Sequence, residues 1–188
     1  MKEHIRTFIA IKIDPENLLL EQFRTFKKLF KEERINWVPE DNFHLTLRFI
    51  GNTTREQLYE LVDRLEVVAA HQEKFNFTIV GAGYFKSKGN PRVLFIKINA
   101  EQPLTTLSEK VEQAVVATGF YPELKPFRPH LTLGRIKNLD NRLRFTIMID
   151  DLPAKEYQHV LVSEFILYQS ILSSEGPIYK VIQKFELK

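Results

Sequence analysis

The chain has 188 residues, 44% of them hydrophobic, with a formal net charge of +3 and no cysteine. That length buries a substantial core, as one domain or two joined halves, and the missing thiols exclude disulfides, thiol catalysis and thiolate metal clusters. No apolar run approaches the roughly 18 residues of a membrane span and no charged-then-apolar leader is visible, so a cytoplasmic protein is expected; the mild basicity favours acidic ligands without selecting one.

Residues 6–13, RTFIAIKI, are β-branched and aromatic and read as a strand, with DPEN after them as N-cap and first-turn proline. Leu19, Phe23, Phe26, Leu29 and Phe30 recur at three- and four-residue intervals and predict a helix over 16–31. NFHLTLRFIG alternates into a glycine and reads as a strand, and a helix over 54–70 carries Leu58, Leu61, Val62 and Leu65. Residues 75–83 and 92–98 are strands joined by the turn chemistry of KSKGNP, and Leu104, Leu107, Val111, Ala114 and Val115 make a helix over 103–118. The second HLTL strand follows. Residues 139–149 fit either period, and the remaining segments read as two or three strands with SSEGP as a turn.

The string HLTL occurs twice, with His44 and His130 separated by 86 residues, the step that also separates Arg6 of RTFIAIKI from Arg92 of RVLFIKI. A shared period implies two halves of strand, helix and HLTL strand about a pseudo-twofold axis, with the HLTL strands meeting at a groove. On a strand, alternate side chains share a face, so His44 with Thr46, and His130 with Thr132, turn to the groove while the leucines enter the core.

Two imidazoles suit in-line displacement at phosphorus: one takes the nucleophile's proton and the other protonates the departing oxygen. The threonine hydroxyls would donate to non-bridging oxygens, and an arginine would stabilise the charge developing there. Arg135 is the candidate, although it stands three residues after Thr132 and a regular strand would aim it away; Gly134 predicts a bulge that restores its direction. Arg48 has the right parity and is the second candidate, weighed against a solvated-face role. Neither motif offers ligand spacing for zinc, and no Gly-x-Ser-x-Gly elbow is present. His4, His71 and His159 have no partner pattern.

With these residues the chain resembles the 2H phosphoesterases, defined by two His-x-Thr motifs. RTFIAI, NFHLTLRFIG, FRPHLTLGR and LYQSILSSEGPIYKVI are similar to the RNA 2′,3′-cyclic phosphodiesterase branch, long labelled 2′-5′ RNA ligase. The resemblance implies an α+β fold over residues 1–188 as one domain: two pseudo-symmetric lobes, two antiparallel sheets, helices outside and a central groove. It implies His44 as proton donor to the ribose O3′ and His130 as the acceptor that activates water. Thr46, Thr132 and Arg135 would hold the phosphate. The implied reaction opens a terminal 2′,3′-cyclic phosphate of RNA to a 2′-phosphomonoester with no metal or other cofactor, in a monomer, and its reversal with a 5′-hydroxyl would make a 2′-5′ linkage. Arg6, Arg92, Arg128, Phe8, Phe49 and Tyr179 are further candidate RNA contacts, of which Arg128 is the one favoured over a structural role. A nucleotide-binding module with little turnover, or a phosphodiesterase acting on 2′-5′ oligoadenylate or small cyclic nucleotides, is the alternative.

Overall fold

The computed structural model describes residues 4–99, 101–174 and 176–188. In chain order the elements are β1 (Ile5–Lys12), α1 (Asn17–Leu29), β2 (Arg34–Trp37), β3 (His44–Thr53), α2 (Arg55–Ala70), β4 (Phe75–Ser87), β5 (Asn90–Asn99), α3 (Gln102–Ala117), β6 (His130–Asn138), α4 (Arg142–Asp150), β7 (Glu156–Val162), β8 (Glu164–Ser173) and β9 (Gly176–Glu186). Periodicity located most of them. The ambiguous 139–149 segment is helical, because Asn141 caps the Arg144 N–H and Phe145 and Ile149, four apart, both enter the core. Helix α1 begins at Asn17, later than a cap at Asp14 would place it: Asp14 instead pairs with Lys12, and the Glu16 N–H donates to the Gln158 side chain. Helix α2 does carry a capping box, Thr54 with Gln57. The expected SSEGP turn joins β8 to β9, with Ser173 opposite Gly176; its Glu175 lies outside the described residues.

The strands are hydrogen-bonded in the order β7-β4-β5-β6-β3-β1-β8-β9, all antiparallel, with β2 pairing additionally to β6. The two expected sheets are therefore β7-β4-β5-β6 and β3-β1-β8-β9, related by reversal, and they join through one pair, Leu45 opposite Leu131. That pair lies on the pseudo-twofold axis. Ile9, Ile11, Leu45, Leu131 and Ile96 point to one face of this sheet and pack with Leu19, Phe23, Leu61, Leu65, Leu107, Val111 and Phe145 of the helices. The other face carries a smaller cluster of Phe8, Ala10, Ile166 and Tyr168, with Tyr179 against it. Burying a leucine or phenylalanine contributes about 1.5–3 kcal/mol, so the helix-covered face dominates stability and leaves the opposite face available for chemistry.

Register corrects one detail of the repeat. Lys12 stands opposite His44 and Lys97 opposite His130, so these strands correspond at a step of 85, not the 86 of the histidines, and Arg6 and Arg92 are not equivalent. The expected irregularity before Arg135 is present: Leu94 opposes Gly134 while Phe95 opposes Thr132, making Leu133 the extra residue of a bulge. The first half has its own copy, with Ile9 opposite Arg48 and Ala10 opposite Thr46, which leaves Leu47 extra.

Gly134 has a second role that sequence did not show. A Cβ there would lie 2.6 Å from Ile35 Cγ2 and 3.3 Å from Trp37 Cε3, so the missing side chain lets β2 lie directly on β6. Gly134→Ala should therefore destabilise the fold by roughly 1–3 kcal/mol through forced displacement of β2, measured as a lowered urea midpoint with an unchanged slope.

Candidate active site

Each histidine is the first residue of its strand, and the antiparallel pairing of Leu45 with Leu131 arranges the motifs crosswise. One residue to either side of that pair, His44 comes opposite Thr132 and Thr46 opposite His130. All four side chains leave the same face, because opposed residues of an antiparallel pair point the same way. Diagonal neighbours in such a pair are typically about 7–8 Å apart, and the charge of His130 is felt at His44.

The ring nitrogens are set identically. His44 Nδ1 lies 2.6 Å from the Asn42 carbonyl oxygen and His130 Nδ1 lies 2.6 Å from that of Arg128, in each case two residues upstream. A carbonyl only accepts, so each Nδ1 carries the proton and each Nε2 is left as the working nitrogen. Aromatic rings hold the imidazoles from the side. Phe8 and Tyr179 have centroids 5.3 and 5.4 Å from that of His44, and Phe85 and Phe95 stand 4.8 and 5.4 Å from that of His130.

Burial lowers the pKa of both histidines from their ordinary 6.5. The bonds that each Nδ1–H donates to the Asn42 and Arg128 carbonyls oppose that shift, while the positive charge of Arg135 reinforces it at both rings, and His130 adds to it at His44. Arg135 also acts on Tyr179, whose hydroxyl burial pushes upward and the guanidinium pulls back. One cation thus bears on both imidazoles and on the tyrosine across the site, which is the orientation that the bulge at Leu133 produces. Tyr168, stacked on Phe8 at 5.1 Å, is raised to about 12, chiefly by burial.

Arg48 is not the second phosphate ligand that its parity suggested. The bulge at Leu47 turns it away from the histidines, and it is no solvated-face residue either, since its side chain is only 10% exposed. Its Nη2 donates to the Tyr121 carbonyl at 2.6 Å and its Nη1 to the Phe49 carbonyl at 2.8 Å. Its Nε lies 2.5 Å from a Glu112 carboxylate oxygen without hydrogen-bond alignment, and Nη1 lies 3.3 Å from Glu123. Among the other candidates, Phe8 is buried, Phe49 is 58% exposed, and Arg92 donates to the Lys137 carbonyl. Arg128 is exposed and serves His130 through its backbone oxygen. Sequence reasoning missed Phe85, Phe95 and the lysines paired to the histidines; the shared string IKI around Lys12 and Lys97 was the available signal. No group of three or more His, Cys, Asp or Glu side chains among the described residues is placed to hold a metal ion, and no helix there is long and apolar enough to cross a membrane.

The family model for LigT-like phosphoesterases matches twice, over residues 11–95 and 96–179, once for each half. The chain belongs to this family. It is a phosphodiesterase. It is 35% identical over 185 residues to the RNA 2′,3′-cyclic phosphodiesterase of Thermotoga maritima, covering 98% of this chain and 96% of that one. It is 32% identical over 182 residues to the protein of that name from Archaeoglobus fulgidus, covering 97% and 100%. Among solved structures, TT0787 of Thermus thermophilus superposes with a TM-score of 0.75 at 28% identity, covering 97% of this chain and 98% of that one. E. coli LigT in its apo form superposes with a TM-score of 0.76 at 25% identity, covering 99% of each chain.

Proposed function

We propose that this phosphodiesterase hydrolyses the 2′,3′-cyclic phosphate at RNA ends to a 2′-phosphomonoester, with His44 as general acid and His130 as general base. The observation that carries this reading is the crosswise His-Thr/His-Thr quartet, with the Nδ1 of each imidazole taken by a backbone carbonyl. Relatives of the same length named for that activity support it. In the proposed step, water loses a proton to His130 Nε2 and attacks phosphorus in line with O3′. The P–O3′ bond breaks, and O3′ takes the proton of His44 Nε2. The product carries a 2′-phosphate and a free 3′-hydroxyl, and before the next turnover His130 gives its proton to solvent while His44 takes one up. Run backwards with an RNA 5′-hydroxyl in place of water, the same path makes a 2′-5′ linkage.

The direction of the pair is supported by where the halves differ. At the step of 86 that relates the two motif strands, Arg135 corresponds to Phe49, so one half offers a cation and the other an exposed aromatic ring. A base stacks on an exposed aromatic face such as that of Phe49, which suits the His44 side to the leaving nucleoside and the more open His130 side to water. Thr46 and Thr132 donate to the non-bridging oxygens, and Arg135 balances their charge. Residues 1–188 act as one domain and as a monomer in this scheme, since one chain supplies both histidines. Acid, base and compensating cation all come from side chains, so the reaction needs no metal.

Purified protein incubated with an oligoribonucleotide ending in 2′,3′-cyclic phosphate, in excess EDTA, should give the 2′-phosphomonoester. Loss of turnover in the chelator would overturn the metal-free mechanism, and a 3′-phosphate product would overturn the assigned geometry.

A further inference from the structure

The pseudo-twofold breaks at the segment preceding each motif strand. Before β3, the segment 34–37 forms β2 and pairs with β6, where Trp37 sits opposite Gly134. The corresponding segment before β6, near 120–123, forms no strand on β3, and the residue that corresponds to Gly134 is Arg48. In one half a glycine admits direct backbone pairing. In the other, an arginine side chain stands in the gap and replaces the ladder with its own hydrogen bonds to the Tyr121 carbonyl and Glu123 and an ion pair with Glu112. Glu112 also accepts from the Glu123 N–H at 2.7 Å.

The segment 119–129 is thereby held as a loop tied to β3 at one end and to His130 at the other, through the Arg128 carbonyl. Pro122, Pro126 and Pro129 stiffen it. Such a clamp would ordinarily serve to bury apolar side chains, yet Tyr121 is 91% and Leu124 95% exposed, and Lys125 and Arg128 are exposed beside them. Aromatic and apolar side chains interleaved with cations on a stiff support are what single-stranded nucleic acid takes, bases on the former and phosphates on the latter. The Arg48 guanidinium joins this loop to Phe49, the exposed ring on the His44 side of the site.

We propose that loop 119–129 is the binding element for the RNA nucleotides that precede the cyclic phosphate, with Tyr121 and Leu124 receiving bases, Lys125 and Arg128 receiving phosphates, and Arg48 as the positioning residue that presents the loop. This rests on the function proposed above. It predicts a preference for oligonucleotide over mononucleotide substrates that resides in KM.

The test compares kcat/KM on a short single-stranded oligoribonucleotide 2′,3′-cyclic phosphate with that on a mononucleoside 2′,3′-cyclic phosphate. It uses the intact chain and the double variant Tyr121→Ala, Leu124→Ala, whose positions are too exposed to threaten folding. The oligonucleotide preference should fall on the order of 10-fold or more, the loss typical of one stacked base, and should do so through KM. Arg48→Lys, which keeps the charge and loses the fork, should lower the preference in the same direction. An intact chain that turns over both substrates with equal kcat/KM, or a preference unaltered in the double variant, overturns the proposal and leaves the function standing. Absence of turnover on either substrate would instead overturn the function.

Discussion

His44→Ala and His130→Ala should each lower kcat on an RNA 2′,3′-cyclic phosphate on the order of 10²- to 10⁴-fold, the contribution of a general acid or base. The two variants should differ in pH dependence. The intact enzyme should show a bell whose limbs belong to the coupled pair. In kcat/KM, which reports the free enzyme, both limbs should lie on the acid side of 6.5, because burial and Arg135 lower both imidazoles. In kcat they should move to higher pH, since the bound phosphate anion favours an imidazolium. Loss of the acid should remove the alkaline limb in His44→Ala, and loss of the base should remove the acid limb in His130→Ala. Limbs lost the other way round would exchange the two roles.

Stability carries the same sign. With their folded pKa lowered, the histidines bind fewer protons in the native than in the unfolded chain, so stability declines as pH falls below the unfolded value of about 6.5 and continues to decline down to the folded values. Either alanine variant should lose less of its urea midpoint than the intact protein between neutral and mildly acid pH.

Arg135→Ala should be the next most damaging change, costing on the order of 10²- to 10³-fold in kcat, as removal of a charge-stabilising donor at a reacting centre does. Arg135→Lys should recover only part of this, since an ammonium supplies the charge without the planar fork. A diagnostic accompanies the rate. Arg135 depresses both imidazoles, so its removal should shift both limbs of the kcat/KM profile to higher pH. A near-normal rate with unmoved limbs would take Arg135 out of the phosphate site. A reduced rate with unmoved limbs would mark a structural effect on β6.

The candidate site was legible because its residues are written locally. A strand's two-residue period alone puts His44 with Thr46 and His130 with Thr132 on one face, and a repeated string signals that the two faces meet. The bulge before Arg135 was also legible, since a glycine within a strand interrupts the alternation. Arg48 defeated the same logic: no glycine marks the matching bulge at Leu47, so simple parity pointed the side chain to the wrong place. The short strand β2 carried too few residues to show a period, and its pairing depends on the missing Cβ of Gly134, which lies far along the chain from Trp37.

Residue order by itself determined most of the strands and helices, the duplication and the pair of motifs, because these follow from periods of two and 3.6 residues and from exact repetition of HLTL along the chain. Tertiary structure alone decided the crosswise placement of histidine against threonine, the bonds from each Nδ1 to a backbone carbonyl, the aromatic walls and the Arg48 clamp. Those depend on the register between strands that are distant in sequence, and a slip of one residue there would send every one of these side chains to the opposite face.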